Sequence, residues 1–403
     1  MGPADGPVPT LASLAASVYL PTLIFAIGQG AVIPIVALAA RDLGASVALA
    51  GVAVGLRGIG SMVFDVPAGK LVARVGERKA MLVATALLVA SLVGCVTARS
   101  PVLFATYMFV MGCGWSVWLL ARLTYVSDVM PTQLRGRALS TLGGVQRIGG
   151  FIGPFAGAVA VTAAGIDGAY YVHIALALVG CVVLYAVPEP HASTPPTGHA
   201  PMRLAAVGRE HRDTLLTAGA GAMAIGVLRA CRQVVLPLWA DAIGLDAAAV
   251  SVVFGLSAAL DMLLFYPAGL VSDRWGRKVV AVPCITLMAV GLLLVPLTHS
   301  FGTLVAVGLV LGFGNGLGSD IVMTLGSDFA PLRGRAEFLG VWRLVGDIGT
   351  AGGPLVVAGV EATASLGAAS FTVGTIGLVG GALVLFRMPE PLHRAPALVE
   401  GAT

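Results

Sequence analysis

The chain has 403 residues, of which 57% are apolar and only 11% charged, with a mean hydropathy of +0.94 and a formal net charge of +4. A soluble protein of that length needs far more charge to cover its surface, so most of this chain lies in lipid or inside a membrane bundle. The basic excess does not indicate nucleic acid, because the lysines and arginines sit in short connections between apolar runs, where membrane topology places them.

From the N-terminus, Met1 to Thr10 has no basic start and carries Asp5, so the first apolar run is expected to be a retained helix and not a removed signal peptide. A crossing helix needs about 20 apolar residues. Twelve such spans are predicted, over 11–40, 48–70, 79–98, 101–127, 138–164, 168–187, 214–241, 248–271, 279–298, 301–327, 336–361 and 366–387. Between the sixth and seventh lies the one long polar segment, 188–213, with Pro195-Pro196, His199, Arg203, Arg209 and Arg212. It reads as a cytoplasmic linker between an N-terminal half, 1–187, and a C-terminal half, 214–403.

Basic residues orient the spans. Loops after even-numbered spans, the linker and the C-terminal end carry Lys70, Arg74, Arg78, Lys79, Arg135, Arg137, Arg203, Arg209, Arg212, Arg274, Arg277, Lys278, Arg333, Arg335, Arg387 and Arg394, against only Arg41 and Arg99 on the other side. Positive residues stay inside, so both termini are expected in the cytoplasm. The five cysteines (Cys95, Cys113, Cys181, Cys231, Cys284) occupy separate apolar segments and read as packing residues, with no metal cluster and no cofactor implied.

The chain repeats itself at an offset of 200 residues. Pro67-Ala68-Gly69 through Lys79 resembles Pro267-Ala268-Gly269 through Lys278, and Gly44, Gly55-Leu56, Gly112, Gly114, Ser127-Asp128, Pro131 and Gly153-Pro154 all recur. Each half ends in Pro-Glu-Pro, at 188–190 and 389–391. Two six-helix halves in the same orientation are parallel repeats about an axis normal to the membrane, an all-α membrane architecture used by transporters.

On these residues the chain resembles the major facilitator superfamily over essentially its whole length. The family's loop signature, Gly-x-Leu-x-Asp-Arg-x-Gly-Arg-Arg/Lys, is matched in the second copy by Gly269, Asp273, Arg274, Gly276, Arg277 and Lys278, with Val271 for Leu. The first copy keeps Gly69, Leu71, Arg74, Gly76 and Arg78, but has Ala73 at the Asp position and Glu77 after Gly76. The resemblance implies a cytoplasmic gate built on these loops, with Asp128 and Asp328 as acidic partners. Gly149-x-x-x-Gly153-Pro154-x-x-Gly157 in the fifth span is similar to part of the Gly-Pro motif of twelve-helix drug:proton antiporters, while generic helix packing explains the same spacing. The arginine that those antiporters carry early in the fourth span is replaced by Met108, and Arg122 lies much deeper.

Ten ionisable residues fall within the spans: Arg57, Asp65, Arg122, Arg147, Arg229, Arg232, Asp261, Asp320, Arg343 and Asp347. At roughly 3 kcal/mol each, lipid exposure would cost on the order of 30 kcal/mol, so they must face the bundle interior or water. Spans 3, 6, 9 and 12 contain none apart from Lys79 and Arg387 at their cytoplasmic ends, and these spans are peripheral in the family resembled. The arginines are substrate-cavity candidates. Asp261, near mid-span with Ser257 one turn before it, is the preferred proton carrier, with Asp320, Asp347 and Asp65 as further candidates. Arg343 and Asp347 are one turn apart and can pair; Arg229 and Arg232 need partners from other helices or an anionic substrate.

The glycine run 312–318 follows no strand and lacks a Gly-Lys-Ser/Thr ending, so it is read as packing and not as a nucleotide loop. Without an ATP-hydrolysing domain or an enzyme's nucleophile–base pair, the expected protein is a non-enzymatic secondary transporter working by alternating access. Proton-coupled efflux of small organic molecules or drugs is the leading reading. Transport of organic anions or sugars, or of lysolipids, is the alternative. A monomer in the bacterial cytoplasmic membrane is expected, its partners being the substrate, protons and the bilayer.

Overall fold

The computed structural model describes residues 14–186, 208–318, 320–331 and 335–391. Among them the regular structure is all helical and forms twelve long segments. In the first half these are α1 (Ala15–Asp42), α2 (Val47–Val75), α3 (Glu77–Thr97), α4 (Pro101–Val129), α5 (Thr132–Ala164) and α6 (Asp167–Ala186). In the second they are α7 (Arg212–Ala242), α8 (Ala247–Trp275), α9 (Lys278–Leu297), α10 (Phe301–Phe329), α11 (Arg335–Thr363) and α12 (Leu366–Arg387). Eleven are long and apolar enough to cross a membrane. The twelfth, α11, matches them in length but carries Arg343, Asp347 and Glu361, which lower its hydropathy. The expected linker lies mostly outside the described residues, as do Arg333 and the first Pro-Glu-Pro.

Helix ends follow local chemistry. On one face of the bundle, α2, α4, α8, α10 and α12 each begin after a side chain that accepts a backbone N–H: Ser46 from Leu49, Ser100 from Leu103, Asp246 from Ala249, Ser300 from Thr303 and Ser365 from Ala368. The opposite face, where α1 starts and α12 ends, is called the terminal face below. There the structure corrects the sequence reading. The stretches expected as loops, 69–79 and 269–278, are mostly helix: Gly69 and Arg74 lie on α2, and Gly269, Asp273 and Arg274 on α8. The reversal is confined to Gly76 in the first copy and Gly276-Arg277 in the second, with the glycines at φ +82° and +104°, a conformation that glycine adopts without a Cβ penalty. The tenth span is also not continuous. Its helix stops at Leu317 and resumes at Ile321, because a run of four alternate glycines supports helix poorly.

The halves repeat in their bonds as well as their letters. Arg78 Nη2 donates to the Tyr185 carbonyl at 2.5 Å, and Lys278 Nζ donates to the Leu385 carbonyl at 3.1 Å, each 200 residues from its counterpart. Within each half, glycines let helices meet backbone to backbone. On α5, a Cβ at Gly149 would fall on Ala26, at Gly153 on the Ile27 carbonyl, and at Gly157 on the Ala31 carbonyl. On α11, Gly349 and Gly353 meet Met223 and Val227 of α7 in the same way. Gly312 and Gly316 of the glycine run close on Ser257 and Asp261 of α8, which accounts for the run as packing.

Between the halves, α2 packs on α11 and α5 on α8, while α3, α6, α9 and α12 pack within their own halves. Away from the terminal face the contact is close: Gly51, Gly55 and Gly58 of α2 abut Ala358, Pro354 and Ala351 of α11, and Gly255 of α8 abuts Phe155 of α5. The ends of α1 and α7 meet there too, with Arg41 Nε 3.8 Å from the Asp241 carboxylate. Towards the terminal face α2 and α8 lose burial, with Val63, Val66, Leu263 and Tyr266 all exposed.

Candidate functional site

The intramembrane charges gather where the halves meet. Arg147 of α5 donates from Nη1 to Asp261 Oδ1 of α8 at 2.6 Å, and both side chains are only 18% exposed. The guanidinium also lies over the Phe265 ring, 4.6 Å from its centre. The other oxygen of Asp261 accepts from Asn315 Nδ2 of α10 at 2.7 Å. Asn315 Oδ1 in turn accepts from Arg229 Nε of α7 at 2.7 Å, and Arg229 Nη2 donates to the Gly318 carbonyl at 2.8 Å. Arg229 is therefore satisfied by neutral groups at the break in α10, where the Gly318 carbonyl also accepts the Ile321 N–H at 3.3 Å. One continuous chain runs from Arg147 through Asp261 and Asn315 to Arg229.

A second bridge joins α2 to α11. Asp65 accepts from Arg343 Nη2 at 3.1 Å and from the Ser116 hydroxyl of α4. Arg343 Nε also lies 3.5 Å from Asp347, so the one-turn pair expected from the sequence forms but is shared with Asp65. Asp65 thus links the two halves. Asp320 sits exposed in the break of α10.

The remaining arginines stay within their halves. Arg122 is buried in the first half, 4.5 Å from the centre of the Trp118 ring, and donates to Gln146 Oε1 at 3.0 Å and Thr22 Oγ1 at 3.4 Å. Arg232 faces the Phe254 ring at 5.4 Å, and its Nε is buried without a hydrogen-bond partner. Arg57 lines a narrow cleft with Phe25, Gln29, Trp115 and His173.

At the terminal face, Arg277 forms the centre of a charged cluster. Its Nε donates to Asp328 at 2.7 Å, and its Nη1 donates to Asp273 at 2.6 Å and to Ser272 at 3.2 Å. Burial pulls its pKa down, but the bonds to Asp328 and Asp273 outweigh it and hold the guanidinium above its ordinary value. Glu390, in the second Pro-Glu-Pro, accepts the backbone N–H groups of Arg277 and Lys278 at 2.8 and 3.0 Å, an anion on the first turn of α9. All of these bonds stay within the second half. In the first copy Ala73 cannot supply the carboxylate of Asp273, and Asp128 stands on α4 as Asp328 stands on the second segment of α10.

The fold is that of a known family. The sequence profile of the Major Facilitator Superfamily matches residues 18–230 and again residues 218–403. The chain belongs to the Major Facilitator Superfamily. Among curated relatives, the multidrug resistance protein MdtG of Enterobacter lignolyticus is 28% identical over 149 residues, 36% of each chain. The MdtG protein of Salmonella arizonae is 25% identical over 173 residues, 42% of this chain and 43% of that one. The chain therefore matches less than half the length of these relatives. Two solved structures share the fold over nearly the whole chain. A D-xylose-proton symporter covers 94% of this chain and 98% of its own at a TM-score of 0.69 and 17% identity, and a POT family transporter covers 93% and 95% at 0.74 and 12%.

Sequence reasoning singled out Arg147, Asp261, Asp65, Arg343 and Arg229 but passed over Asp241 and the neutral partners. Asn315 was hidden among glycines, and Gln146 and Ser116 carry no charge to mark them. His173 is the clearest omission. Span 6 has no Asp, Glu, Lys or Arg, yet this imidazole on α6 is 2% exposed, with neither ring nitrogen hydrogen-bonded.

Proposed function

We propose that this member of the superfamily is a proton-coupled exporter of small organic molecules, working by alternating access in a bacterial cytoplasmic membrane. The observation that carries this reading is the Arg147–Asp261 ion pair, which ties α5 to α8 across the two halves. A proton arriving from water at the Asp261 carboxylate removes its charge while Arg147 remains cationic. The ionic attraction holding α5 to α8 is then lost, and the Asn315 amide keeps only a neutral acceptor. Deprotonation restores the pair. The proton state of one carboxylate thus biases which way the halves rock, the halves being 1–187 and 214–403, with both termini on the cytoplasmic side. A monomer suffices, because both bridges are made within one chain. The relatives named as multidrug resistance proteins agree with export, as does the Gly149–Gly157 seam on α5.

The test is proton flux in proteoliposomes loaded with a pH-sensitive dye, under a preset gradient, with cationic, neutral and anionic compounds added in turn. Substrate-dependent discharge by the wild type, reduced at least tenfold in Asp261→Asn, is expected. Equal discharge by the variant moves the coupling away from this pair, and no discharge by any compound rejects proton coupling.

A further inference from the structure

The two bridges between the halves are built on one plan. In each, an arginine on the fifth helix of one half reaches an aspartate on the second helix of the other. A neutral donor on the fourth helix of that second half completes the bonding: Arg147, Asp261 and Asn315 in one bridge, Arg343, Asp65 and Ser116 in the other. They differ in charge. The α5–α8 bridge and its relay hold two guanidinium groups, of Arg147 and Arg229, and one carboxylate. The α2–α11 bridge holds one guanidinium and two carboxyl groups, because α11 carries Asp347 at the position 200 residues on from Arg147. Arg343 and Ser116 both donate to Oδ1 of Asp65, which leaves Oδ2 available. The carboxyl groups of Asp65 and Asp347 lie within side-chain hydrogen-bonding reach of each other. Two carboxyl groups in such contact cannot both stay ionised, and a proton between them removes the repulsion.

The helices packed on α2 and α11 direct their other charges elsewhere. Arg229 of α7 is bonded to Asn315 and the Gly318 carbonyl, and Arg232 of α7 lies over the Phe254 ring of α8. Arg122 of α4 donates to Gln146 and Thr22, and Asp128 stands three turns beyond Ser116. Helices α1, α3 and α12 carry charged residues only in a terminal turn. On α2 itself, Arg57 lies two turns before Asp65 and Lys70 more than one turn after it. Among the described residues, Arg343 is therefore the one cation that Asp65 and Asp347 bond, and they share it. Their side chains are 25% and 32% exposed, against 18% for Asp261, so a proton reaches them at least as readily.

We propose that Asp65 and Asp347 share one exchangeable proton, which makes the α2–α11 bridge a second proton site beside Asp261. The proton comes from water to a carboxylate oxygen and leaves the same way. With it in place the cluster is neutral: one carboxylate is paired with Arg343, and the carboxylic acid donates to that carboxylate. Without it, two anions on opposite sides of the seam compete for one guanidinium. A proton therefore tightens α2 against α11, whereas at Asp261 it releases α5 from α8, so the two seams answer one change of pH in opposite senses. That opposition deepens the transport reading and rests on it, while occupancy of the site is read without gradient or substrate. Infrared difference spectra of the reconstituted full chain, between mildly alkaline and mildly acidic buffer in water and in heavy water, follow the carbonyl stretch of protonated carboxyl groups. One deuterium-sensitive band gained by the wild type is expected to fall at least tenfold in Asp65→Asn and equally in Asp347→Asn, because either change leaves a single carboxylate paired with Arg343. The same band should persist in Asp261→Asn. An acid that titrates by itself loses its band only in its own variant. If no band vanishes in both variants, or if the band that does so also vanishes in Asp261→Asn, the proposal is overturned. The amide bands of the same spectra show whether each variant keeps its helices; Asp65→Ser and Asp347→Ser replace an asparagine variant that does not. A shared band alongside equal proton discharge by wild type and Asp261→Asn would leave this site standing and reject Asp261 as the carrier.

Discussion

At the scale of single residues, the decisive property of this protein is how each buried charge is balanced. Arg343 stands between two carboxylates, those of Asp65 and Asp347. Removing it leaves two anions facing each other without a counter-charge, whereas removing Asp347 leaves the bridge to Asp65 intact. Arg343→Leu should therefore cost about 1–3 kcal/mol, and Asp347→Asn measurably less, as read from thermal unfolding in detergent. In the Arg277 cluster, a lysine cannot reproduce the fork by which Arg277 reaches Asp328 and Asp273 at once. Arg277→Lys is expected to slow transport several-fold in the flux assay while leaving the melting temperature within a few degrees. The sequence announced these charges because ionised side chains are rare and costly in a span. Neutral partners such as Asn315 and Ser116 carry no such cost, so only the fold could reveal them. His173 shows the limit most plainly: a lone imidazole in an apolar run looks the same whether it is packed or exposed to a cleft.

At the scale of helices, the glycine spacing on α5 is the contact with α1 made visible. A side chain at Gly153 would collide with the Ile27 carbonyl, while Gly150, three residues earlier, faces open space. Gly153→Val should lower stability by about 1–3 kcal/mol and reduce the yield of monodisperse protein on size-exclusion chromatography. Gly150→Ala should behave as wild type. If both variants were equally stable, the seam would not hold α5 in place. Helix number and order were legible from hydropathy alone, since lipid demands long uninterrupted apolar runs. The ends were less so. The signature loops have the composition of loops, with glycine, proline and basic residues, yet α2 and α8 run on to Val75 and Trp275 because the turn begins only at Gly76 and Gly276. The break in α10 was equally hard to foresee, since glycine-rich runs stay helical when neighbouring helices support them, as in α5.

At the scale of the whole molecule, the two halves pack closely at the face opposite the terminal one. Cross-linking that face should therefore hold it shut. With Cys181, the half-buried native thiol, changed to serine, the double variant Arg41→Cys/Asp241→Cys treated with a reducible bifunctional thiol reagent should lose transport and regain it on reduction. Unchanged transport in the cross-linked protein would mean that this face need not open. The two-half plan itself was evident in the letters, through matches spaced 200 residues apart; which faces of the halves meet was not, because the same helices can pack in more than one way. The pair at residues 41 and 241 says one thing more. These are corresponding positions of the two halves, so each faces its own copy across the pseudo-twofold axis. Two identical halves would set arginine against arginine, or aspartate against aspartate, and the face would repel itself. Opposite charges can meet there only once the copies have drifted apart within one chain, so this closure belongs to the fused and diverged protein and is beyond the reach of a symmetric dimer of either half.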